Sequence, residues 1–224
     1  MTNLSRRLVD LSHPVVSGMV TVPGLAGPEI SDHVTHAESR ARYAPGTEFH
    51  FARVSLLGNT GTYLDAPLHR FEGGTDLAGL PLASFADLDG LLIRAEGRQE
   101  IDVDAFASHD VAGKAVLVHT GFSRHWGTDA YLSGEHPYLT AEAAAHLVRN
   151  GAALLGVDSQ NVDSMKGGER PVHTALLGAG IPIVEHMTGL AALPDDGFRL
   201  HAAPPALVGV GTFTVRAYAV VEAR

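Results

Sequence analysis

The stretch NTGTYLDAPLH, residues 59–69, decides how the rest of the sequence is interpreted. Asp65 and His69 are four residues apart with Pro67 between them, so the segment cannot form a regular helix. Gly61 and Pro67 favour an irregular turn that can aim both side chains at one point. A carboxylate and an imidazole aimed together can bind a divalent metal ion or transfer protons.

A second carboxylate–imidazole pair lies late in the chain. His173 and Glu185 are twelve positions apart in the segment HTALLGAGIPIVE. Glu185 also follows an apolar run that predicts a strand, as does Asp158, and His119 ends a third such run. Ligands of α/β proteins bind at the carboxyl ends of strands. We therefore expect Asp158, Glu185 and His119 to lie near one another.

Composition limits the class of protein. The chain has 224 residues, of which 45% are hydrophobic and 18% charged, so it can bury a sizeable core. The net charge of −9 argues against nucleic-acid binding, and the absence of cysteine excludes disulfides and thiolate metal sites. The N-terminal segment has no signal-peptide pattern, and no apolar run is long enough to span a membrane. We expect a cytoplasmic protein with no membrane or nucleic-acid partner.

The hydrophobic pattern predicts one mixed α/β domain over residues 1–224, with antiparallel strands early and a parallel layer later. Its most regular helix is expected at 140–150, where Thr140 can cap the start and Gly151 can stop the end. Further helices are predicted at 103–107 and 173–178. Strands are predicted at 8–11, 19–22, 49–57, 91–95, 115–119, 154–157, 181–184, 207–211 and 213–221.

Residues 59–69 resemble the signature His-x-Gly-Thr-His-x-Asp-x-Pro-x-His of the cyclase family of metal-dependent hydrolases, which includes bacterial kynurenine formamidase and isatin hydrolase. Five of its seven specified positions match. The family's later His and Glu, twelve apart, are matched by His173 and Glu185. Three further segments resemble family segments, so the resemblance covers nearly the whole chain: VDLSHPVVSGM, HTGFSRHWG and GVDSQNVDS.

The resemblance implies a swivelling β/β/α-type fold with a mixed sheet and assembly as a homodimer or homotetramer. It also implies hydrolysis of amide or lactam bonds in small, often aromatic, substrates. Carried over residue by residue, it makes Asp65, His173 and Glu185 ligands of a divalent metal ion and His69 the acid/base. Substrate contacts are predicted at Thr62, Phe122 and Gln160.

Two signature histidines are replaced, by Asn59 and Tyr63. An Asn carbonyl oxygen can ligate a metal ion and suits Mn²⁺ or Mg²⁺ better than Zn²⁺. A neutral Tyr is a poor ligand but a good hydrogen-bond donor to a substrate carbonyl or an oxyanion. We therefore predict Asn59 as a further ligand and Tyr63 as a catalytic donor, with Mn²⁺, Zn²⁺ or Mg²⁺ as the cofactor.

The replaced histidines leave three functions open. The first is a metal-dependent hydrolase of a small cyclic or aryl amide, lactam or lactone. The second is a metal-free or weakly metallated cyclase, dehydratase or lyase that uses His69 and Tyr63 for acid–base chemistry. The third is a non-catalytic binding protein. Buried carboxylates and imidazoles are costly unless they pair or bind something, which argues against the third.

Overall fold

The computed structural model describes residues 6–222, in which short strands outnumber helices. The helices are α1 (His36–Arg40), α2 (Ala141–Arg149) and α3 (Pro171–Gly178). The strands are β1 (Arg6–Asp10), β2 (Glu29–Val34), β3 (Phe51–Ser55), β4 (Tyr63–Asp65), β5 (Leu88–Arg94), β6 (Glu100–Ile101), β7 (Ala115–His119), β8 (Tyr138–Leu139), β9 (Leu154–Val157), β10 (Ile183–Glu185), β11 (Asp196–His201), β12 (Thr212–Thr214) and β13 (Tyr218–Glu222).

The main sheet has nine strands in the order β1-β13-β11-β5-β7-β9-β10-β4-β12. The central strands β5, β7, β9 and β10 run parallel, and the flanking pairs are antiparallel. Strand β12 is last in this order and β13 is second, yet only residues 215–217 separate them in the chain. The sheet must therefore curl until its two ends meet. Two backbone hydrogen bonds continue the β1–β13 and β4–β12 pairings into this connection, from Leu11 N–H to Ala217 O and from Val215 N–H to Thr62 O, each at 2.9 Å.

The curled sheet separates two apolar layers. One fills the inside of the curl and includes Leu64, Leu117, Val184 and Leu200. The other lies between the parallel strands and the helices α2 and α3, and includes Val116, Leu147, Leu155 and Leu176. Because both faces of β7 and β9 are covered, these strands are buried along their whole length, which explains their continuous apolar sequence.

Several predicted elements are confirmed. Helix α2 starts after Thr140, whose hydroxyl accepts a hydrogen bond from Ala143 N–H at 3.1 Å, and Gly151 follows its end with a φ of 70°. The strands at 115–119 and 154–157 have the predicted bounds. The parallel layer lies where the later apolar runs placed it.

Other predicted elements are wrong. Residues 19–22 and 207–211 form turns and loops, because neither apolar run finds a neighbouring strand to pair with. The single strand expected at 213–221 is divided into β12 and β13, which pair with opposite ends of the curled sheet. The helix expected at 103–107 is only a 3₁₀ turn, Val103–Ala105. Among residues 6–222 no helix has the length and apolar character needed to cross a membrane.

Candidate active site

The pairing of β4 with β10 brings the first site residues together. Glu185 is the direct partner of Tyr63, and Ile183 is the partner of Asp65. Directly opposite residues point to the same side of a sheet, and so do residues two apart in one strand. Tyr63, Asp65 and Glu185 therefore share one face. His69 ends the 3₁₀ turn Pro67–His69, which follows β4.

His173 projects from α3 towards these carboxylates. Its Nε2 lies 3.7 Å from Asp65 Oδ2 and 3.7 Å from Glu185 Oε1. His69 Nε2 lies 3.9 Å from Asp65 Oδ1. Asp65, His69 and His173 each offer one ligand atom within 4.8 Å of the other two. These three side chains are therefore close enough to be candidates for holding one metal ion.

Asp65 is the residue of the group whose surroundings most clearly favour a bound cation. Its side chain is fully buried, and neither carboxylate oxygen has a hydrogen-bond partner. A buried carboxylate without hydrogen bonds is costly, and a divalent cation would offset that cost. The donor set of one carboxylate and two imidazoles also suits a divalent transition metal. The residues present therefore fit a metal ion.

A second carboxylate orients His173. Asp163 Oδ2 lies 2.6 Å from His173 Nδ1, so that ring nitrogen carries the proton and Nε2 is left free to face Asp65. Asp163 also accepts the backbone N–H of Val172 at 2.7 Å and of His173 at 3.1 Å. Such carboxylate–histidine pairs are typical support for a metal ligand. Sequence reasoning missed Asp163, although it lies in the family-like segment GVDSQNVDS.

The buried charges shift two pKa values. Burial alone would lower the pKa of His173, but the neighbouring carboxylates, Glu185 first, raise it to about 10. Burial raises the pKa of Glu185 to about 7, although the charge of His173 opposes this. Without a cation the site therefore retains a proton. Binding of a metal ion must displace that proton, because only the unprotonated nitrogen can ligate it.

Tyr63 is buried against Glu185. Its hydroxyl donates to Glu185 Oε2 at 2.6 Å, and Glu185 Oε1 accepts the Val162 N–H at 2.7 Å. Burial and the charges of Glu185 and Asp65 raise the pKa of Tyr63 well above 10, while a hydrogen bond from the half-buried Asn59 acts in the opposite direction. The phenol is therefore neutral. The two residues that replace signature histidines contact each other.

The sequence model of the Cyclase family, described as “Putative cyclase”, matches residues 9–164. This chain belongs to the Cyclase family. It is 30% identical to a kynurenine formamidase of Erythrobacter litoralis (strain HTCC2594), over 91% of this chain and 88% of that one. It is 28% identical to a kynurenine formamidase of Geobacillus thermodenitrificans (strain NG80-2), over 74% of this chain and 77% of that one.

Solved structures show the same fold. Isatin hydrolase A from Labrenzia aggregata, bound to benzyl benzoate, superimposes with a TM-score of 0.81 at 22% identity and covers 97% of this chain and 94% of its own. A potential metal-dependent hydrolase with cyclase activity superimposes with a TM-score of 0.77 at 24% identity, over 97% and 99%. The resemblance seen in residues 59–69 and the predicted mixed α/β fold are both confirmed.

The three residues of this Cyclase-family chain that are predicted to contact substrate differ in their surroundings. The Thr62 hydroxyl is buried, donates to His186 O at 2.6 Å and accepts the His13 N–H at 3.1 Å, so it links two segments of the backbone. The ring of Phe122 packs against that of Tyr131, with ring centroids 5.2 Å apart. Gln160 is buried, and its Oε1 has no hydrogen bond.

An aromatic cluster adjoins the carboxylates. His13 stacks on Trp126 with ring centroids 3.9 Å apart, and the ring of Tyr63 lies 5.1 Å from that of His186. Burial lowers the pKa of His13 to about 4 and of His186 to about 3, so the cluster is neutral. Tyr63 connects the cluster to Glu185. The rings of the cluster are those of His13, Tyr63, Phe122, Trp126, Tyr131, His136 and His186, and the ring of His125 lies at its edge against Phe122.

The strand ends of β7, β9 and β10 are neighbours, as expected from the sequence. The Asp158 carboxylate, however, is hydrogen-bonded to the loop after β7. It accepts the backbone N–H groups of Thr120 and Gly121 and the Thr120 hydroxyl, at 2.6 to 2.9 Å. His119 Nε2 lies 3.8 Å from it. Asp158 therefore fixes the loop after β7, and neither Asp158 nor His119 belongs to the group formed by Asp65, His69 and His173.

Proposed function

We propose that this protein is a metal-dependent hydrolase of a small aryl amide, lactam or lactone. The observation that carries the proposal is the fully buried Asp65 carboxylate, whose oxygens lack hydrogen bonds, beside the oriented imidazole of His173. Similarity to proteins named kynurenine formamidase supports an amide C–N bond as the bond that is cleaved.

Asp65 and His173 would anchor the cation, which when bound lowers the pKa of water and polarises a carbonyl. Asp163 would hold His173 in the tautomer that presents Nε2. Asn59 stays a predicted ligand because of its carbonyl oxygen, and Glu185 is the ligand that the family resemblance adds. The metal is predicted to be Mn²⁺, Zn²⁺ or Mg²⁺, and elemental analysis of the purified protein would distinguish them.

His69 is the member of the group that reaches solvent, since its side chain is 31% exposed. It can therefore exchange a proton with water while it faces Asp65. As the acid/base, His69 would take a proton from the attacking water and return it to the leaving nitrogen or oxygen. This role stays a prediction until a His69 variant is measured.

The aromatic cluster supports a flat, apolar substrate. Its rings lie directly beside Tyr63 and so beside the carboxylates, and aromatic rings favour offset or edge-on contact with another ring. Phe122 belongs to this cluster, which supports its predicted role as a substrate contact. Gln160 stays a predicted substrate contact; its buried Oε1 is an acceptor without a hydrogen bond.

The metal-free acid–base hypothesis is not favoured. It needs the Tyr63 hydroxyl to face a substrate, whereas that hydroxyl donates to Glu185 and the ring is buried. A purely binding function would leave both Asp65 oxygens without hydrogen bonds. Neither alternative accounts for Asp65 as directly as a bound cation does.

Hydrolysis by the purified protein tests the proposal. Isatin and the formamide of kynurenine are suitable probes. Each is assayed with protein loaded with Mn²⁺, Zn²⁺ or Mg²⁺ and with protein treated with a chelator. We expect cation-dependent turnover that Asp65→Asn abolishes. Asp102→Asn is a control, because Asp102 accepts the Val103 N–H and the Thr140 hydroxyl, and neither bond involves a residue of the site. Turnover that persists after chelation, or in Asp65→Asn, would overturn the proposal, as would inactivity on both probes with every cation.

We also propose a homodimer. The hairpin of β2 and β3 stands away from the main sheet, and every residue from 41 to 55 is exposed. A two-stranded hairpin has little stability of its own, and this one exposes Phe49, Phe51 and Val54 to 47–54%. A second copy of the chain would cover these side chains through a self-complementary contact.

Light scattering tests the assembly. Phe51→Asp should convert a wild-type dimer into a monomer, because it places a charge in the apolar contact. Leu82→Asp is the matched control, since Leu82 is 72% exposed on a separate turn. A wild type that is monomeric at micromolar concentration would contradict the proposal. The single domain over 1–224, the cytoplasmic location and the lack of nucleic-acid or membrane partners stay predictions from the sequence.

A further inference from the structure

Asp65 and Glu185, two buried carboxylates of the site, differ in their hydrogen bonds. Asp65 has two oxygens with no hydrogen-bond donor. Glu185, on the neighbouring strand, has a donor on each oxygen: the Tyr63 hydroxyl on Oε2 at 2.6 Å and the Val162 N–H on Oε1 at 2.7 Å. Hydrogen bonds to a charged acceptor are short and strong, so Glu185 is held where it lies.

Strand register makes the contact between Tyr63 and Glu185 unavoidable. The two residues are direct partners across β4 and β10, and both are almost fully buried. A side chain at position 63 must therefore lie against the Glu185 carboxylate. An imidazole there could share a cation with that carboxylate, but a phenol is a neutral donor and bonds to it directly.

We propose that Tyr63 is a positioning residue that withholds Glu185 from the cation, so that Asp65 and His173 hold the metal ion without it. This inference rests on the cation of the proposed function. The site of this chain is then a weak one, which loses its metal readily. Removal of the Tyr63 hydroxyl should strengthen metal binding, although the substitution deletes a polar group from the site.

The physical reason lies in the oxygen that would be freed. In Tyr63→Phe, Glu185 Oε2 would remain buried with no donor, at the cost of an unsatisfied charged group. Glu185 Oε1 already lies 3.7 Å from His173 Nε2, so the freed carboxylate needs only a small rotation to reach a cation between His173 and Asp65. One added ligand should tighten binding about tenfold, or about 1.4 kcal/mol.

Calorimetric titration of the metal-free, full-length protein with Mn²⁺ tests this. The variants are Tyr63→Phe, Glu185→Gln and the double variant, with Tyr131→Phe as the matched control. Tyr131 is another buried tyrosine, but its hydroxyl bonds to His186 Nδ1 at 2.9 Å. We expect Tyr63→Phe to bind about tenfold more tightly than wild type, the double variant to lose that gain, and Tyr131→Phe to match wild type.

Two results would overturn the inference. One is unchanged or weaker Mn²⁺ binding by a Tyr63→Phe variant that melts like wild type. The other is a gain that survives in the double variant, because Glu185 would then not be its source. If Mn²⁺ binds none of the proteins, both this inference and the proposed cation fail. If the wild type hydrolyses its probe in a cation-dependent way while Tyr63→Phe gains no affinity, this inference alone is wrong.

Discussion

Replacement of Asp163 by Asn changes one atom of the group that orients His173. Asp163 is fully buried and accepts three hydrogen bonds, from Val172 N–H, His173 N–H and His173 Nδ1. The amide of Asn has one acceptor and one donor. If its donor faces His173, Nδ1 must become the acceptor, and the ring proton moves to Nε2, where it blocks the metal position. If the amide is flipped, its donor opposes the Val172 N–H.

Both orientations cost free energy. Loss of a buried, charge-assisted hydrogen bond should lower the free energy of unfolding of the metal-free protein by about 2–3 kcal/mol. Loss of a supporting carboxylate behind a ligating histidine should weaken metal binding by about 10- to 100-fold. A general loss of stability would hardly change the metal affinity of a protein that is still folded. A 10- to 100-fold loss of affinity would therefore report on the orientation of His173.

Urea unfolding and calorimetric titration with Mn²⁺ measure the two effects separately. Asp158→Asn is the matched control, because Asp158 is also fully buried and also accepts three hydrogen bonds, but from Thr120 and Gly121. We expect it to lose similar stability and to keep its Mn²⁺ affinity within about threefold, which is under 1 kcal/mol. Equal loss of affinity in both variants, or wild-type affinity in Asp163→Asn, would refute the role given to Asp163.

Three further predictions concern single side chains. His69→Ala should lower turnover by about 10²–10⁴-fold with little change in Mn²⁺ affinity, and a large loss of affinity would instead make His69 a ligand. Trp126 is the only tryptophan, and its ring stacks on that of His13. Burial lowers the pKa of His13 to about 4, so His13 in the folded protein should stay neutral until the pH approaches 4. The unfolded chain takes up that proton below its ordinary pKa of 6.5, so His13 makes stability fall as the pH drops through this interval. Tryptophan fluorescence should titrate near pH 4 and lose this step in His13→Gln; a midpoint near 6.5 would show that His13 is not shielded. Thr62→Val should lower the free energy of unfolding by about 1–3 kcal/mol, because it leaves the buried His186 carbonyl and the His13 N–H without their partner; urea unfolding that matches wild type would contradict this.

Local sequence signals were sufficient for several parts of the molecule. A cap, a helical run and a glycine stop lie next to one another in the chain, and α2 forms where they predict it. The turn chemistry of residues 59–69 likewise predicted that Asp65 and His69 are aimed at one region, although residues 63–65 of this segment form the regular strand β4. Runs with continuous apolar character became the buried parallel strands β7 and β9. In each case the residues that decide the structure are close in sequence.

The sequence by itself determined most of the chemical groups of the site: two carboxylates, two imidazoles, and an Asn and a Tyr where the family signature has His, but not the Asp163 carboxylate. Only the tertiary structure decided their partners. Tyr63 and Glu185 are 122 positions apart, and their contact follows from the register of β4 on β10. The same is true of β12 and β13, which a single apolar run suggested were one strand and which the curl of the sheet divides between its ends. Residue type and spacing are local properties, whereas strand register and sheet closure depend on how the whole core packs, so no short segment of the sequence could encode them.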